Sequence, residues 1–190
     1  MPRDPSCDPG QVYQPEADTC LLLKAALAEV RPGDRVLEVG TGSGLIAAEL
    51  GRVAPVVATD INPHAVAAAR ERGVDVIRAD LLSGICGKFD LIVFNPPYLP
   101  TRPEERVDDW LEYALDGGPT GREVIARFAD GAGRVLAPGG RILLLISSLT
   151  GPEDVCALFT NRGYATAVAA QEPAEGEMLM VVRIVRSENR

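Results

Sequence analysis

The sequence predicts an α/β protein with a seven-stranded, mostly parallel sheet, and three features of the chain lead to this prediction. Short apolar runs alternate with segments of helical periodicity from residue 35 to residue 162, which is typical of parallel sheets covered by helices on both faces. The runs are almost continuously apolar, as buried strands are. The last two runs are joined by too few residues for a crossover helix, so we expect an antiparallel hairpin there.

Length and composition limit the classes to which the chain can belong. At 190 residues, with 46% hydrophobic and 24% charged residues, the chain is expected to form a single domain over residues 1–190. Its formal charge of −8 disfavours direct binding to nucleic acid. No apolar run approaches the roughly 20 residues that a membrane span needs, and no apolar leader segment is present. We therefore expect a cytoplasmic protein that does not engage a membrane.

The first half of the chain is expected to contribute four strands. Residues 1–14 are rich in proline and are expected to form an irregular lead-in, after which Pro15 opens a helix that Arg31-Pro32-Gly33 ends. Asn62 is the expected cap of an alanine-rich helix with Pro63 at its first position. Strands are expected at Arg35–Val39, Pro55–Thr59, Val74–Ala79 and Phe89–Phe94, and helices at Leu45–Arg52 and Pro63–Arg72.

The second half begins with a polar, proline-rich stretch, residues 96–119, and is expected to contribute three further strands. Pro138-Gly139-Gly140 is expected to break the helix before it, and the glutamate-rich link of residues 172–177 is interpreted as a solvated turn between the last two strands. Helices are expected at Gly121–Leu136 and Glu153–Arg162, and strands at Arg141–Ile146, Tyr164–Ala169 and Met178–Val185.

A glycine-rich turn follows the first predicted strand. Gly40, Gly42 and Gly44 are preceded by Glu38, and glycines here permit a tight turn that brings backbone N–H groups close to a ligand. Position 45 is Leu, so the spacing departs from the dinucleotide pattern G-x-G-x-x-G. The form E-x-G-x-G-x-G instead resembles the motif of S-adenosylmethionine (AdoMet) enzymes. Asp60 ends the second strand, 20 residues after Gly40, where a carboxylate can accept hydrogen bonds from ribose hydroxyls or cap the following helix.

The tetrapeptide Asn95-Pro96-Pro97-Tyr98 follows the fourth strand and is the most specific signal in the chain. Asn95 supplies an amide donor and a carbonyl acceptor, and the two prolines fix the backbone and remove its donors. We expect the Asn95 side-chain carbonyl and the Pro96 backbone carbonyl to hold a planar –NH₂ group under the ring of Tyr98. Such a site would act by orienting the nitrogen for methyl transfer, with Asn95, Pro96, Pro97 and Tyr98 as catalytic residues.

The chain resembles class I AdoMet-dependent methyltransferases, and within them the HemK family of protein-glutamine N5-methyltransferases. The class implies a Rossmann-like sheet of strand order 3-2-1-4-5-7-6 and AdoMet as cofactor, with S-adenosylhomocysteine as product. It also implies that Asp80 contacts the adenine amino group and that Leu81 lines the adenine pocket. The cofactor-binding residues that the resemblance implies are Tyr13, Thr19, Glu38, Gly40, Thr41, Gly42, Asp60, Ile61, Asp80, Leu81 and Asn95.

Two further segments resemble the short archaeal and eukaryotic HemK enzymes, which act on class I translation release factors. Residues 12–19 match V-Y-x-P-A-E-D-T except that positions 16 and 17 are Glu-Ala, and in the family this segment lies over the cofactor with its Thr near the carboxylate end. Gly117 and Gly118 begin a G-G-x-x-G-R-x-V stretch in which glycines would let the substrate backbone approach, so substrate-binding residues are expected at Asn95, Pro96, Tyr98, Gly117 and Gly118.

The resemblance also implies a substrate and a partner. The substrate would be the glutamine of a Gly-Gly-Gln loop in a release factor, and the partner a small zinc-binding activator subunit beside the third strand. Residues 74–79 would then be an apolar edge strand, which is a liability unless covered, so we expect a heterodimer. The added N-terminal helical domain of the bacterial enzymes is not expected here.

Alternative functions share parts of these motifs. A nucleic-acid amino-methyltransferase also carries Asn-Pro-Pro-Tyr, although Arg102, Arg106, Arg122 and Arg127 are interspersed with acidic residues. A protein-lysine methyltransferase and a non-catalytic AdoMet-binding scaffold remain alternatives. His64 is expected to be a solvated first-turn residue, and Trp110 to pack on a substrate lid or on the domain body. No metal site is expected, because Cys7, Cys20, Cys86 and Cys156 lack ligand spacing.

Overall fold

A computed structural model describes residues 8–102 and 109–187 of the chain. The first seven residues of the expected lead-in, among them Cys7, lie outside these ranges, as does Arg106. The helices are α1 (Ala17–Glu29), α2 (Leu45–Leu50), α3 (Pro63–Glu71), α4 (Glu112–Leu115), α5 (Glu123–Val135) and α6 (Pro152–Thr160). The strands are β1 (Val36–Val39), β2 (Val56–Asp60), β3 (Val76–Arg78), β4 (Phe89–Phe94), β5 (Leu136–Ser147), β6 (Tyr164–Ala174) and β7 (Glu177–Arg186).

The seven strands form one sheet of order β3-β2-β1-β4-β5-β7-β6. The pairs among β1 to β5 are parallel, whereas β7 is antiparallel to both β5 and β6. The predicted fold class and strand order are therefore confirmed. The carboxyl ends of β1, β2 and β4 meet at one edge of the sheet, where ligands of open α/β sheets bind.

Helices cover both faces of the sheet, as the nearly continuous apolar strands predict. Alternate residues of the central strands point to opposite faces: Leu37 and Ile92 join a core with α5 and α6, whereas Val36 and Leu91 join a core with α1 and α2. Both cores are completely shielded from solvent at these positions. This packing fixes the positions of the strand ends that carry the functional residues.

The helix boundaries follow the expected local signals in most places. Asn62 caps α3 by accepting the His64 N–H at 2.9 Å, and Pro63 is its first residue, as predicted. A short 3-10 helix at Pro9–Gln11 lies within the expected irregular lead-in. The four-residue α4 lies in the stretch predicted to be loop, and its first-turn amide is held by the Asp109 carboxylate at 2.9 Å.

The predictions for the second half are wrong at two strand boundaries. Pro138-Gly139-Gly140 does not separate a helix from a strand, because β5 begins at Leu136 and carries these residues through a register shift opposite Asp90. Proline is tolerated in a sheet at such irregularities. The link of residues 172–177 is not a turn throughout, because only Glu175 and Gly176 leave the ladder, both at positive φ. This is the two-residue hairpin loop whose twist matches the flanking strands.

Within the described ranges, no helix is both long and apolar enough to cross a membrane. No group of three or more His, Cys, Asp or Glu side chains in the same part of the chain is placed to hold a metal ion.

Candidate active site

A cavity of about 1090 Å³ lies over the carboxyl ends of β1, β2 and β4. Its volume is slightly above the range usual for small-molecule sites. The sequence-predicted site residues that line it are Tyr13, Thr19, Glu38, Gly40, Thr41, Gly42, Asp60, Ile61, Asp80, Leu81, Asn95, Pro96, Pro97, Tyr98 and Gly118. Gly117 is the one predicted site residue that does not line it.

The glycine-rich turn after β1 forms the floor of the cavity. Gly40, Gly42 and Gly44 all have positive φ, at 65°, 52° and 79°, a region that other residues rarely adopt. A Cβ on Gly44 would lie 2.8 Å from the Ala69 Cα, so this glycine is also required where α2 packs on α3. A Cβ on Gly42 would meet nothing closer than the Tyr13 carbonyl at 3.8 Å. The turn therefore presents bare backbone to the cavity.

Glu38 braces this turn from below. Its buried carboxylate accepts the Thr41 hydroxyl and, at 3.0 Å, the Ala47 N–H in the first turn of α2. Burial raises the pKa of Glu38 to about 8, although both hydrogen bonds act in the opposite direction. Glu38 therefore stabilises the conformation of the turn through Thr41 and Ala47.

Asp60 is the carboxylate that faces the cavity from β2. One of its oxygens accepts the Gly42 N–H and the other the Asn62 N–H, both at 2.9 Å. Burial is the main cause that raises the pKa of Asp60. Each carboxylate oxygen can accept more than one hydrogen bond, so this orientation leaves acceptor capacity for two vicinal hydroxyl groups. The sequence left capping of the following helix as the alternative role for Asp60. In the structure the side chain that caps α3 is that of Asn62.

The residues after β3 line the far end of the cavity. Asp80 forms an ion pair with Arg127 of α5, with 2.5 Å between carboxylate oxygen and guanidinium nitrogen. Leu81 is a non-glycine residue at φ 50°, and its carbonyl accepts the Thr59 hydroxyl at 3.3 Å. A residue persists in this sparsely populated region only where its surroundings hold it, so the Leu81 side chain is presented to the cavity by a fixed backbone.

The segment before α1 crosses the cavity and is held at both sides. The Gln11 backbone carbonyl accepts the Asn62 side-chain amide at 2.6 Å, and the Gln11 side-chain oxygen accepts the backbone N–H of Trp110 at 3.0 Å. Trp110 lines the cavity and lies under the Arg78 guanidinium, 5.5 Å from its ring centroid. Trp110 is thus part of the cover of the site. His64 does not line the cavity, and its imidazole accepts the Asp8 N–H at 3.3 Å.

Asp18 is the hub of the reactive end of the cavity, and the sequence analysis assigned it no role. Only 4% of its surface is exposed. One oxygen, Oδ2, accepts the Asn95 side-chain amide at 3.0 Å, the Tyr13 hydroxyl at 3.1 Å and the Tyr98 hydroxyl at 3.4 Å. The other, Oδ1, accepts the backbone N–H of Thr19 at 2.5 Å and its hydroxyl at 3.1 Å. Asp18 therefore joins the predicted cofactor segment to the predicted catalytic motif.

Asn95 carries one polar atom to which no other residue in the described part of the chain donates a hydrogen bond. Its Oδ1 is buried and, among the described residues, accepts no hydrogen bond. Buried polar atoms are almost always satisfied, so an exception points to a partner that binds there. Burial raises the pKa of Tyr98, and the negative charge of Asp18 adds to this effect, so the Tyr98 hydroxyl stays protonated and donates.

The glycines after the motif pack against its backbone. A Cβ on Gly117 would lie 2.9 Å from the carbonyl oxygens of Pro97 and Leu99, and one on Gly121 would lie 2.4 Å from the Tyr98 carbonyl. Gly117 is buried away from the cavity. The structure therefore gives Gly117 a packing role that holds the Asn95–Tyr98 segment in place, and among the two predicted substrate glycines only Gly118 faces the cavity.

The sequence assigned no role to several acidic lining residues, although Glu16 and Asp18 lie in the segment of residues 12–19 that resembles a family motif. These residues are Glu16, Asp18, Glu112, Asp116, Glu123 and Glu177. With the predicted site residues Glu38, Asp60 and Asp80, the described part of the cavity is lined by nine acidic residues and by one basic residue, Arg127. Arg122 instead pairs with Asp154 at 3.3 Å, and Arg102 does not line the cavity.

The residues present fit AdoMet. The bare backbone at Gly40 and Gly42 suits the amino-acid part of the cofactor. The oriented carboxylate of Asp60 suits the ribose hydroxyls, and the wall formed by Asp80 and Leu81 suits the adenine. The surplus of carboxylates also suits the positive charge of a sulfonium group.

The comparisons with known proteins agree with this geometry. Residues 14–108 match the model of the family described as Methyltransferase small domain. A Methanocaldococcus jannaschii protein named as a protein N5-glutamine methyltransferase is 39% identical over 184 residues, covering 93% of this chain and 92% of its own length. Methyltransferase HEMK2 of Mus musculus is 39% identical over 193 residues, covering 93% of this chain and 90% of its own.

A solved structure gives the same result. The Mtq2–Trm112 complex of E. cuniculi, described as responsible for methylation of the eRF1 translation termination factor, contains a chain with a TM-score of 0.79 and 34% identity. The alignment covers 93% of this chain and 99% of that one. The chain therefore belongs to the HemK family of AdoMet-dependent methyltransferases.

Proposed function

We propose that this enzyme transfers the methyl group of AdoMet to the side-chain nitrogen of a glutamine in the Gly-Gly-Gln loop of a class I translation release factor. The Methanocaldococcus jannaschii relative is named as a protein N5-glutamine methyltransferase, and the Mtq2–Trm112 complex is described as responsible for methylation of a termination factor. The observation that carries the proposal is the unpartnered Asn95 Oδ1. This atom is a buried hydrogen-bond acceptor on a residue of the catalytic motif, and the –NH₂ group of a glutamine side chain needs such an acceptor.

The cavity residues would divide into a cofactor set and an acceptor set. Gly40, Gly42, Asp60, Asp80 and Leu81 would hold AdoMet, which supplies an electrophilic methyl group on a sulfonium sulfur. The other predicted cofactor residues would support AdoMet from around it. Glu38 and Thr41 would do so by holding the glycine-rich turn, and Tyr13, Thr19 and Ile61 by lining the cavity.

Asn95 would accept one N–H of the glutamine amide at Oδ1, and Pro96 would accept the other at its backbone carbonyl. Tyr98 would pack over the amide plane, with Pro97 fixing the backbone between them. The nitrogen would form its bond to the methyl carbon as the carbon–sulfur bond breaks, and it would then lose one proton to solvent. Holding the nitrogen in line is a positioning contribution, which can supply several orders of magnitude in rate.

The electrostatics of the cavity favour a neutral amide over the two other acceptor classes. The acidic lining residues other than Glu38, which keeps its proton, far outnumber the one basic lining residue, Arg127, and would repel the phosphates that flank a nucleobase. The same charges would favour the protonated form of a lysine amine, which has no lone pair to donate. A carboxamide carries no charge at any working pH and needs no deprotonation before it reacts.

We further propose a small zinc-binding activator subunit at β3. This strand pairs only with β2 in the described part of the chain, and Ile77 at its centre is 49% exposed. An unpaired apolar edge is a surface that another strand can extend. The Mtq2 chain, the structural neighbour, is itself found in complex with Trm112.

Labelled AdoMet and three acceptors test the proposed function. The acceptors are a release factor, the same factor with the target glutamine replaced by asparagine, and adenine-containing nucleic acid, each with and without the activator. We expect label on the first acceptor alone. Equal label on the glutamine-less factor, or label on the nucleic acid, would overturn the proposal.

A further inference from the structure

We propose that Asp18 is a positioning residue that selects the orientation of the Asn95 amide, and through it the acceptor that the enzyme recognises. The inference rests on the proposed glutamine substrate, but its argument starts from the hydrogen bonds of one buried carboxylate. An amide side chain has a carbonyl at one end and an –NH₂ group at the other, and the two ends have nearly the same shape. A protein that needs one orientation must therefore enforce it through hydrogen bonds.

Asp18 enforces it because a carboxylate accepts hydrogen bonds and donates none. The Asn95 Nδ2 atom lies 3.0 Å from Asp18 Oδ2. With the amide turned over, two oxygens would face each other at this distance in a buried site, which is strongly unfavourable. The –NH₂ group is therefore held towards Asp18, and Oδ1 is left as a buried acceptor without a donor among the described residues, on a side chain that lines the cavity.

The surroundings of Asp18 leave no room for an alternative arrangement. The Thr19 N–H at 2.5 Å holds Oδ1, and the hydroxyls of Tyr13 and Tyr98 share Oδ2 with Asn95. Both ends of the carboxylate thus face donors, and this makes the isosteric change Asp18→Asn informative. An asparagine must point its own –NH₂ group either at the Thr19 N–H or at the Asn95 –NH₂ group.

The Thr19 N–H belongs to the backbone and cannot turn away, whereas the side-chain amide of Asn95 can turn over. The asparagine at position 18 would therefore keep its carbonyl towards Thr19 and turn its –NH₂ group towards Asn95. Asn95 would respond by turning over to accept that bond, and its own –NH₂ group would then face the cavity. The Asn95 –NH₂ group could no longer hold the –NH₂ group of a glutamine, and it would instead donate a hydrogen bond to a glutamate carboxylate.

The test uses the full chain with its activator and two peptides from the Gly-Gly-Gln loop, one with the target glutamine and one with glutamate in its place. Peptide affinity is measured in the presence of S-adenosylhomocysteine, and kcat and KM are measured with AdoMet. Asp130→Asn is the matched control, because Asp130 forms an exposed ion pair with Arg162 away from the cavity.

We expect the wild-type protein and Asp130→Asn to prefer the glutamine peptide. Asp18→Asn should lower kcat/KM on the order of 100-fold and reduce or invert the preference for glutamine over glutamate. An Asp18→Asn enzyme that loses activity but keeps the wild-type preference between the peptides would show a merely structural role and would overturn the inference.

A measurement on the wild-type protein keeps the inference testable if the variant does not fold. A through-hydrogen-bond coupling between the Asn95 side-chain nitrogen and the Asp18 carboxylate carbon should be observable by NMR, and its absence would overturn the inference. If the wild-type protein neither binds nor methylates the glutamine peptide, the proposed function fails, while the NMR coupling still decides the orientation of Asn95.

Discussion

At the scale of the residue, the site depends on buried carboxylates that perform different tasks. Glu38 holds the glycine-rich turn through Thr41 and Ala47, Asp60 faces the cavity with both oxygens oriented by backbone N–H groups, and Asp18 gathers the side chains of the catalytic motif. Burial raises the pKa of the first two. Each carboxylate therefore predicts a distinct consequence when it is changed.

Glu38 predicts a pH dependence of stability. Its pKa is about 8 in the folded protein, above that of an exposed glutamate, so the folded state binds a proton that the unfolded state has released. The contribution of Glu38 is therefore most favourable at low pH and is lost as the pH rises from about 4.5 to about 8, on the order of 5 kcal/mol in total. Glu38→Gln keeps a carbonyl acceptor and removes this titration.

Urea unfolding of the wild-type protein and of Glu38→Gln between pH 5 and pH 8 measures this difference. The free energy of unfolding of the wild-type protein should fall with pH relative to that of the variant. Parallel curves for the two proteins would show that Glu38 is already ionised in the folded state.

Asp60 and Asn95 predict opposite effects on binding and on rate. Asp60→Ala should weaken AdoMet binding by about 10- to 100-fold, because hydrogen bonds to a charged group are lost. Asn95→Ala should lower kcat by about 100-fold or more and leave the AdoMet dissociation constant within about 3-fold. Calorimetric titration and single-turnover kinetics separate the two. Asp130→Asn, an exposed change outside the cavity, is the control, and full activity of Asn95→Ala would refute the proposed role of its carbonyl.

At the scale of the element, the catalytic segment is held by the loop that follows it. Gly121 has φ 73°, and a Cβ there would lie 2.4 Å from the Tyr98 carbonyl. Gly139 has nearly the same φ, 72°, but a Cβ there would meet nothing within 4 Å. The two glycines therefore separate backbone strain from collision with the catalytic segment.

Gly139→Ala should cost about 1–2 kcal/mol of stability and leave kcat unchanged. Gly121→Ala should cost more stability and should also lower kcat by about 10-fold or more, because Tyr98 must move. Thermal unfolding and initial rates at saturating substrate test the pair, and equal kcat for both variants would contradict the role assigned to this packing.

The edge strand β3 predicts where a partner binds. Ile77 on β3 and Val168 on β6 are exposed to similar extents, 49% and 55%, at opposite edges of the sheet. Ile77→Lys should weaken binding of the activator at least about 10-fold, whereas Val168→Lys should not. Titration of each variant with the activator distinguishes the edges. A wild-type chain that is stable, monodisperse and fully active alone would contradict the need for a partner.

At the scale of the whole molecule, local patterns predicted the elements well and the long-range contacts poorly. Alternating apolar runs were enough to place the seven strands, and the strand order came from the resemblance. The hub at Asp18 could not be predicted, because Asn95 lies 77 residues further along the chain and meets Asp18 only when α1 packs beside β4. The extension of β5 through Pro138 depends in the same way on its register with β4.

The proposed reaction transfers the methyl group to a glutamine nitrogen held at Asn95. Fragment-ion mass spectrometry of a release factor incubated with AdoMet, the enzyme and its activator tests this most directly, because it locates the added methyl group on one residue. We expect a single methyl group on the side-chain amide of the Gly-Gly-Gln glutamine, formed at least about 100-fold more slowly with Asn95→Ala. A methyl group on a lysine or at another position, or one formed at the wild-type rate with Asn95→Ala, would contradict the proposed site of transfer.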